Sequence, residues 1–244
     1  IITNTPVLPC PRKADWVYSF NKGGDILAYG IKLRVWGDYA LFTRPEMKVE
    51  RVSYDVITPS AARGIVEAIY WKPSIQWFID KIYVCNPIEF TNFRRNEVKT
   101  KLLASNVKSV MNGSKEPLFL DTSKDRQQRA SLVLKNVQYV IEAHFELTNE
   151  AGENDSVEKH YNIALRRLRK GQCYHCPSFG CREFPVNFEL YEEENVKTAY
   201  TGEKDLGYML FDMNYSDLGD IRPMFFRAVM RDGVIDLTES EVIQ

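Results

Sequence analysis

The stretch VQYVIEAHFEL, residues 137–147, constrains this chain more than any other. Val137, Tyr139, Ile141, Ala143, Phe145 and Leu147 alternate with Gln138, Val140, Glu142, His144 and Glu146. A period of two sustained over that length marks a half-buried strand, because successive side chains leave a strand on opposite faces. A helix would scatter the same apolar set around its circumference. His144 falls on the polar face between Glu142 and Glu146, where it reads as a cross-strand polar partner.

Other segments then fall into place around this strand. From Tyr29, the residues Ile31, Leu33 and Val35 alternate with Lys32, Arg34 and Trp36, a second half-buried strand. Thr58-Pro59 predicts a helix start, with a hydroxyl at the N-cap and proline at the first helical position. Behind it Ala62, Ile65, Val66 and Ile69 keep helical spacing, and Pro73 sets the end at about Trp71 or Lys72. WFIDKIYVCNPIEF is β-like, and the basic RRNEVKTK follows it. Residues 104–128 are polar and contain Asn-Gly, which predicts a long loop or mobile hairpin. In VEKHYNIALRRLRKGQ, residues 157–172, Ala164, Leu165 and Leu168 supply a helical apolar stripe. FPVNFEL, GYMLFDMNY and PMFFRAVM are short β-like runs, and Arg231-Asp232-Gly233 predicts a hairpin turn into VIDL.

The order strand, helix, strand, strand, helix, then further strands predicts an α+β fold. We expect a ferredoxin-like (RRM-like) domain over residues 29–172 and a C-terminal antiparallel β subdomain over 173–244. Residues 1–28, which do not begin with Met, read as an extension or poorly ordered arm. No apolar run approaches the length of a membrane span, and a cytosolic protein is the expectation.

Net charge is −1, yet it is unevenly spread. Residues 173–244 hold 6 Lys+Arg against 14 Asp+Glu, while residues 1–172 hold 26 against 19. A basic first part suggests an anionic ligand, although solvated surfaces would look the same. Five cysteines, with Cys173, Cys176 and Cys181 bunched, do not form a secreted disulfide framework. CYHCPSFGC also crowds every candidate ligand into nine residues and lacks the separated second pair that zinc prefers, so reduced thiols in a loop are expected.

Candidate chemistry centres on two segments. The chain has three histidines, and His160 stands between Lys159 and Tyr161, ahead of Arg166 and Arg167. Histidine moves protons near neutral pH, and an adjacent lysine can hold a phosphate. The same residues equally describe a surface histidine at a helix start with a solvated basic face. In AARGIVEAIYWKPS, Arg63 and Tyr70 are two helical turns apart, and Tyr70, Trp71 and Lys72 near the helix end suit base stacking or phosphate contact. Alternatively Tyr70 and Trp71 close the hydrophobic core, Trp71 above all. G-x-x-x-x-G-K-[ST], G-x-S-x-G and H-E-x-x-H are all absent, which disfavours the enzyme classes built on them.

Taken together, VWGDYALFTRPEMKVERVSYDVITPSAARGIVEAIYWKPSIQW, FRRNEV, KNVQYVIEAHFEL, KHY and GCREFP resemble CRISPR-associated protein family five, subtype I-C (the Dvulg subtype). The resemblance implies a ferredoxin-type domain with a C-terminal β extension. It also implies an endoribonuclease that cuts CRISPR repeat hairpin RNA without a metal or other cofactor. Such a protein then remains on the crRNA 5′ handle within the interference complex (Cascade), beside its backbone and large subunits and within reach of target DNA. The family's catalytic tyrosine and Lys-His pair match Tyr70, Lys159 and His160. A catalytically silent subunit that caps the handle is the alternative. Charge and position add Arg44, Lys48, Arg51, Arg63, Arg94, Arg95, Arg166 and Arg167 as expected RNA contacts.

Overall fold

A computed structural model describes residues 29–47, 49–215, 219–238 and 240–244. The expectations for residues 1–28 and for Lys48 lie outside the described residues. Among these, ten strands join in one sheet with three helices, an α+β architecture as expected.

The strands and helices run β1 (Gly30–Ala40), β2 (Arg51–Val52), α1 (Pro59–Ile69), β3 (Ile75–Val84), β4 (Phe90–Val98), α2 (Ala104–Met111) and β5 (Arg126–Leu147). They continue with α3 (Val157–Lys170), β6 (Asn187–Leu190), β7 (Glu203–Asn214), β8 (Arg222–Arg231), β9 (Val234–Asp236) and β10 (Val242–Ile243). The sheet order is β10-β8-β9-β3-β5-β1-β6, with β2 and β4 also on β5 and β7 on β8. Every pairing is antiparallel except that of β2 with β5.

β5 is the backbone of this arrangement. Its second half pairs with β1 on one side and β3 on the other, placing Ala143 between Ile31 and Ile79. Its first half pairs with β4 and β2, from Arg126 opposite Val98 to Leu134 opposite Phe90. Ile141, Ala143 and Phe145 turn inward beneath the helices, joined by Leu33, Val35, Trp77 and Ile82. The opposite face carries Glu142, which takes Lys32 at 2.9 Å and the Tyr83 hydroxyl at 2.9 Å. His144 bonds Asp80 of β3 at 2.9 Å and stacks on Phe78, the cross-strand role expected of it.

α1 begins as the sequence predicts: the Thr58 hydroxyl accepts from the Ala61 amide at 3.2 Å, and Pro59 follows it. Ala62, Ile65, Val66 and Ile69 are buried against the sheet. α3 has Ser156 as its N-cap and Gly171 in the left-handed conformation as its C-cap (φ 61°). Its buried residues His160, Ala164 and Leu168 are four apart and form a single stripe, whereas Arg166, Arg169 and Lys170 face solvent. α1 lies on β3 and β7, α3 on β1 and β6, and the two helices touch. The predicted hairpin is also present, with Asp232 and Gly233 at positive φ between β8 and β9.

Two elements depart from expectation. Residues 104–111 form α2 rather than loop, and β5 begins at Arg126, well before the alternation that announces it. α2 buries none of its residues and lacks a side-chain cap, so neither apolar period nor cap marked it. The first half of β5 is a strand because β4 supplies a ladder for it, from Arg126 to Leu134.

The loop after α3 returns to the sheet through Gly180, whose φ is 79°. A Cβ there would fall onto the Leu41 carbonyl oxygen. Gly180→Ala is therefore expected to lower stability by about 2 kcal/mol or more through strained φ and overpacking combined. Denaturant unfolding checks this, and an unchanged midpoint would contradict the close approach.

Candidate active site

α1 ends at Ile69, and its last carbonyls need partners other than the helix itself. Three different elements supply them. The Tyr174 and His175 amides donate to the Ala68 carbonyl at 2.9 and 3.2 Å. Arg167 of α3 donates to the Ile69 carbonyl at 2.5 Å, and the Trp77 indole of β3 donates to the Tyr70 carbonyl at 2.8 Å. Tyr70 is thus held at the helix end in an extended conformation (φ −149°, ψ 117°), which turns its side chain inward.

The Tyr70 hydroxyl meets Nδ1 of His160 at 2.7 Å. His160 sits in the first turn of α3, on the inward stripe, with Phe145 of β5 edge-on beneath it. Its Nε2 faces the Ser74 hydroxyl at 3.3 Å and the Asp155 carboxylate at 3.5 Å. Lys159 reaches the same Asp155 oxygen at 3.0 Å and the Asn154 carbonyl at 3.1 Å. The guanidinium of Arg167 lies over the Tyr70 ring at 5.1 Å.

Tyr70, Lys159 and His160, matched through the family resemblance, are brought together by the fold. They differ in exposure: Tyr70 and His160 are each 2% exposed, whereas the Lys159 side chain is 48% exposed. Trp71 is 51% exposed and does not close the core; among the described residues the buried tryptophan is Trp77. Since the helix stops at Ile69, Tyr70 and Trp71 follow extended geometry and point to opposite sides. Trp71, Lys72 and Lys159 form an exposed rim around a buried phenol–imidazole pair.

Burial sets the electrostatics. Desolvation holds the His160 pKa below its ordinary value, with Lys159 and Lys72 adding to the effect and Asp155 opposing it. Desolvation raises Tyr70, with Arg167 working the other way. The hydrogen bond from Lys159, followed by that from the Gly152 amide, keeps Asp155 below the usual carboxylate range.

Among the described residues, the expected contacts Arg44, Arg51, Arg94 and Arg95 lie away from this site. Arg94 and Arg95 stand on β4 opposite Ala130 and Arg129, whereas the site lies over Phe145. The two places are separated by about 50 Å of strand contour at ~3.3 Å per residue. Arg95 and Arg51 reach Glu97, at 3.6 and 3.4 Å, and Arg44 pairs with Asp55 at 3.0 Å. Arg63 is bound by Glu67 and by Asp212 of β7. Arg94 and Arg166 are exposed. Arg167, expected on RNA, instead braces the end of α1.

Sequence reasoning did not find Ser74 or Asp155. Asp155 carries one legible signal, its i,i+4 spacing to Lys159. Ser74 carries none, because its role follows from the path of the chain after Pro73. Cys85, Cys173, Cys176 and Cys181 are free thiols. Among the described residues no group of three or more His, Cys, Asp or Glu is placed to hold a metal ion, and no helix is long and apolar enough to cross a membrane.

The Tyr70 hydroxyl and the His160 imidazole thus form a buried pair beside the exposed Lys159, and residues 30–238 match the family described as CRISPR-associated protein (Cas_Cas5). The chain belongs to this family, and within it to subtype I-C. It is 51% identical over 217 residues to the CRISPR pre-crRNA endoribonuclease Cas5d of Mannheimia succiniciproducens, covering 86% of this chain and 96% of that protein. It is 39% identical over 224 residues to the protein of the same name from Thermus thermophilus, covering 85% and 90%. A solved structure of a CRISPR-associated protein superposes with a TM-score of 0.62 at 26% identity, covering 85% of this chain and 91% of the other.

The depressed His160 pKa has a consequence for stability. The unfolded chain protonates this imidazole near pH 6.5 and the folded chain only below that, so stability is full above about pH 6.5 and is lost as pH falls through the folded value. Replacing His160 with Gln should flatten the fall in melting temperature between about pH 7 and pH 5. Parallel curves for the two proteins would contradict the assignment.

Proposed function

We propose that this protein is a CRISPR pre-crRNA endoribonuclease, cutting repeat hairpin RNA to mature crRNA without a metal ion. The observation that carries the reading is the 2.7 Å bond between Tyr70 and His160 beside Lys159, in a chain half identical to a protein of that name. In such a reaction the 2′-hydroxyl attacks the neighbouring phosphate, leaving a 2′,3′-cyclic phosphate and a 5′-hydroxyl. The step needs a proton acceptor for the 2′-hydroxyl, a proton donor for the departing 5′ oxygen and positive charge at the phosphorane. His160 is the proton acceptor, Tyr70 shares the transfer, and Lys159 stabilises phosphate charge.

The rim is what RNA meets first: Trp71 offers a stacking surface, and Lys72, Lys159 and Arg166 offer charge. Arg44, Lys48, Arg51, Arg63, Arg94 and Arg95 would extend the handle contacts further along the molecule. Because Asp155 holds Lys159, a phosphate arriving at Lys159 competes with that carboxylate and opens the way to the pair behind it. The protein then stays on the 5′ handle in the type I-C complex with its backbone and large subunits, near target DNA.

The fold suits this role. The order β1–α1–β3–β5–α3–β6, with strands side by side as β6-β1-β5-β3, supports a ferredoxin-like reading of residues 29–172 together with β6. Residues 173–244 would then be a β subdomain that completes one sheet edge through β6 and extends the other through β7–β10.

One observation favours a second reading, a silent subunit that caps the handle: Tyr70 and His160 are both sealed from solvent. Incubating the protein with its repeat RNA in EDTA separates the two. The enzyme reading predicts a cut with a cyclic phosphate on the upstream fragment, and no cut when the scissile nucleotide is 2′-deoxy. Tight binding without cutting would overturn it in favour of the silent subunit.

A further inference from the structure

A neutral imidazole has one N–H and one lone pair, and its surroundings decide which nitrogen carries which. At His160 the two sides differ sharply. Nδ1 faces only the Tyr70 hydroxyl, at 2.7 Å. Nε2 faces the Ser74 hydroxyl at 3.3 Å and the Asp155 carboxylate at 3.5 Å. An ionised carboxylate only accepts, so it favours N–H over a lone pair at Nε2. Nδ1 then carries the lone pair, and the Tyr70 phenol donates to it.

The Asp155 carboxylate is itself held. Its Oδ2 accepts from the Gly152 amide at 3.2 Å, and the Asp155 amide donates to the Gly152 carbonyl at 2.9 Å. That tight turn leaves Oδ1 aimed at both Lys159 and His160, 3.0 and 3.5 Å away. Asp155 thus reaches both members of the Lys-His pair with one oxygen.

We infer that Asp155 is a positioning residue of the cleavage site: it fixes the His160 tautomer that draws the phenol proton of Tyr70, so that Tyr70 takes the proton of the RNA 2′-hydroxyl. The inference rests on the reading of Tyr70, Lys159 and His160 as the site. The chain of groups is carboxylate, imidazole, phenol, an ordering with the logic of the carboxylate–histidine–hydroxyl triad. As the 2′-oxygen bonds to phosphorus, its proton passes to the Tyr70 oxygen and the Tyr70 proton passes to Nδ1. The P–O5′ bond breaks, and the departing 5′ oxygen takes a proton from the Lys159 ammonium. His160 then returns its extra proton, and Lys159 regains one, through water. The charge that appears on His160 is stabilised by Asp155 across Nε2. This also accounts for how a sealed histidine serves a reaction at the surface: it acts through the phenol, and need not itself touch RNA.

The charged and titratable groups around the pair are Asp155, Lys159 and Lys72 at His160, and Arg167, Arg166 and Asp155 at Tyr70. Only Asp155 among them favours imidazolium. Asp155→Asn keeps the shape and removes the charge. It should lower the single-turnover cleavage rate by about 10²-fold, leave the RNA dissociation constant within about twofold, and move the acid limb of the pH–rate profile to lower pH. The ring ¹⁵N shifts of His160 should report Nε2–H in the native protein, and a mixed tautomer in the variant. Native-like rate, pH profile and tautomer in Asp155→Asn would overturn the inference, as would Nδ1–H in the native protein even if the variant failed to fold. Full cleavage by His160→Ala would instead overturn the underlying site, so the two failures are distinguishable.

Discussion

Two buried polar side chains, the Tyr70 hydroxyl and the His160 imidazole, are each 2% exposed and meet one another at 2.7 Å. An unpaired group in that position would cost roughly 1–3 kcal/mol. The bond therefore pins the end of α1 to the first turn of α3. Arg167, one face of α3 further along, repeats the tie by donating to the Ile69 carbonyl and covering the Tyr70 ring. Trp77 closes the third side from β3. Removing any one of these leaves a helix-end carbonyl or a buried ring nitrogen without its partner, so site geometry and local stability are the same property here.

The sheet supplies the rigid floor. Phe145 on β5 lies under His160, and the strand leading to it is held on both sides by β1 and β3 from Tyr139 to His144. The opposite face of the same strand carries Glu142 in an ion pair with Lys32 and His144 in a hydrogen bond with Asp80. One strand thus serves an apolar core on one face and a polar network on the other, which is what its alternation encodes. The far half of β5 is a different environment, in which β4 and α2 stand away from the core and several apolar side chains, Leu103, Met111 and Phe119 among them, remain exposed.

Much of this was legible from sequence because local physics and tertiary structure agree. The Thr58-Pro59 start of α1, the alternation of β1 and β5, the stripe of α3 and the Asp232-Gly233 turn each follow from hydrogen-bond or periodicity rules within the segment itself. The illegible parts depend on something outside the segment. α2 has no apolar stripe and no cap to announce it. The inward choice of Tyr70 over Trp71 hangs on a helix end fixed by Arg167, Trp77 and the loop at Tyr174, all distant in sequence. The family resemblance brought Tyr70 and His160 forward as catalytic candidates, but their burial depends on how the two helices meet. The arginines show the same limit in charge: as sequence they are cations, and in the fold Arg63, Arg95 and Arg44 already face Asp212, Glu97 and Asp55.

The central claim is that the phenol–imidazole pair performs the proton transfer of RNA cleavage. Its most direct test is single-turnover cutting of the repeat hairpin by His160→Ala, with handle binding measured on the same sample. Loss of cleavage by about 10²-fold or more, with the handle still bound, is the predicted result. Cleavage at the native rate by His160→Ala would contradict the account and leave the pair as a structural tie between α1 and α3.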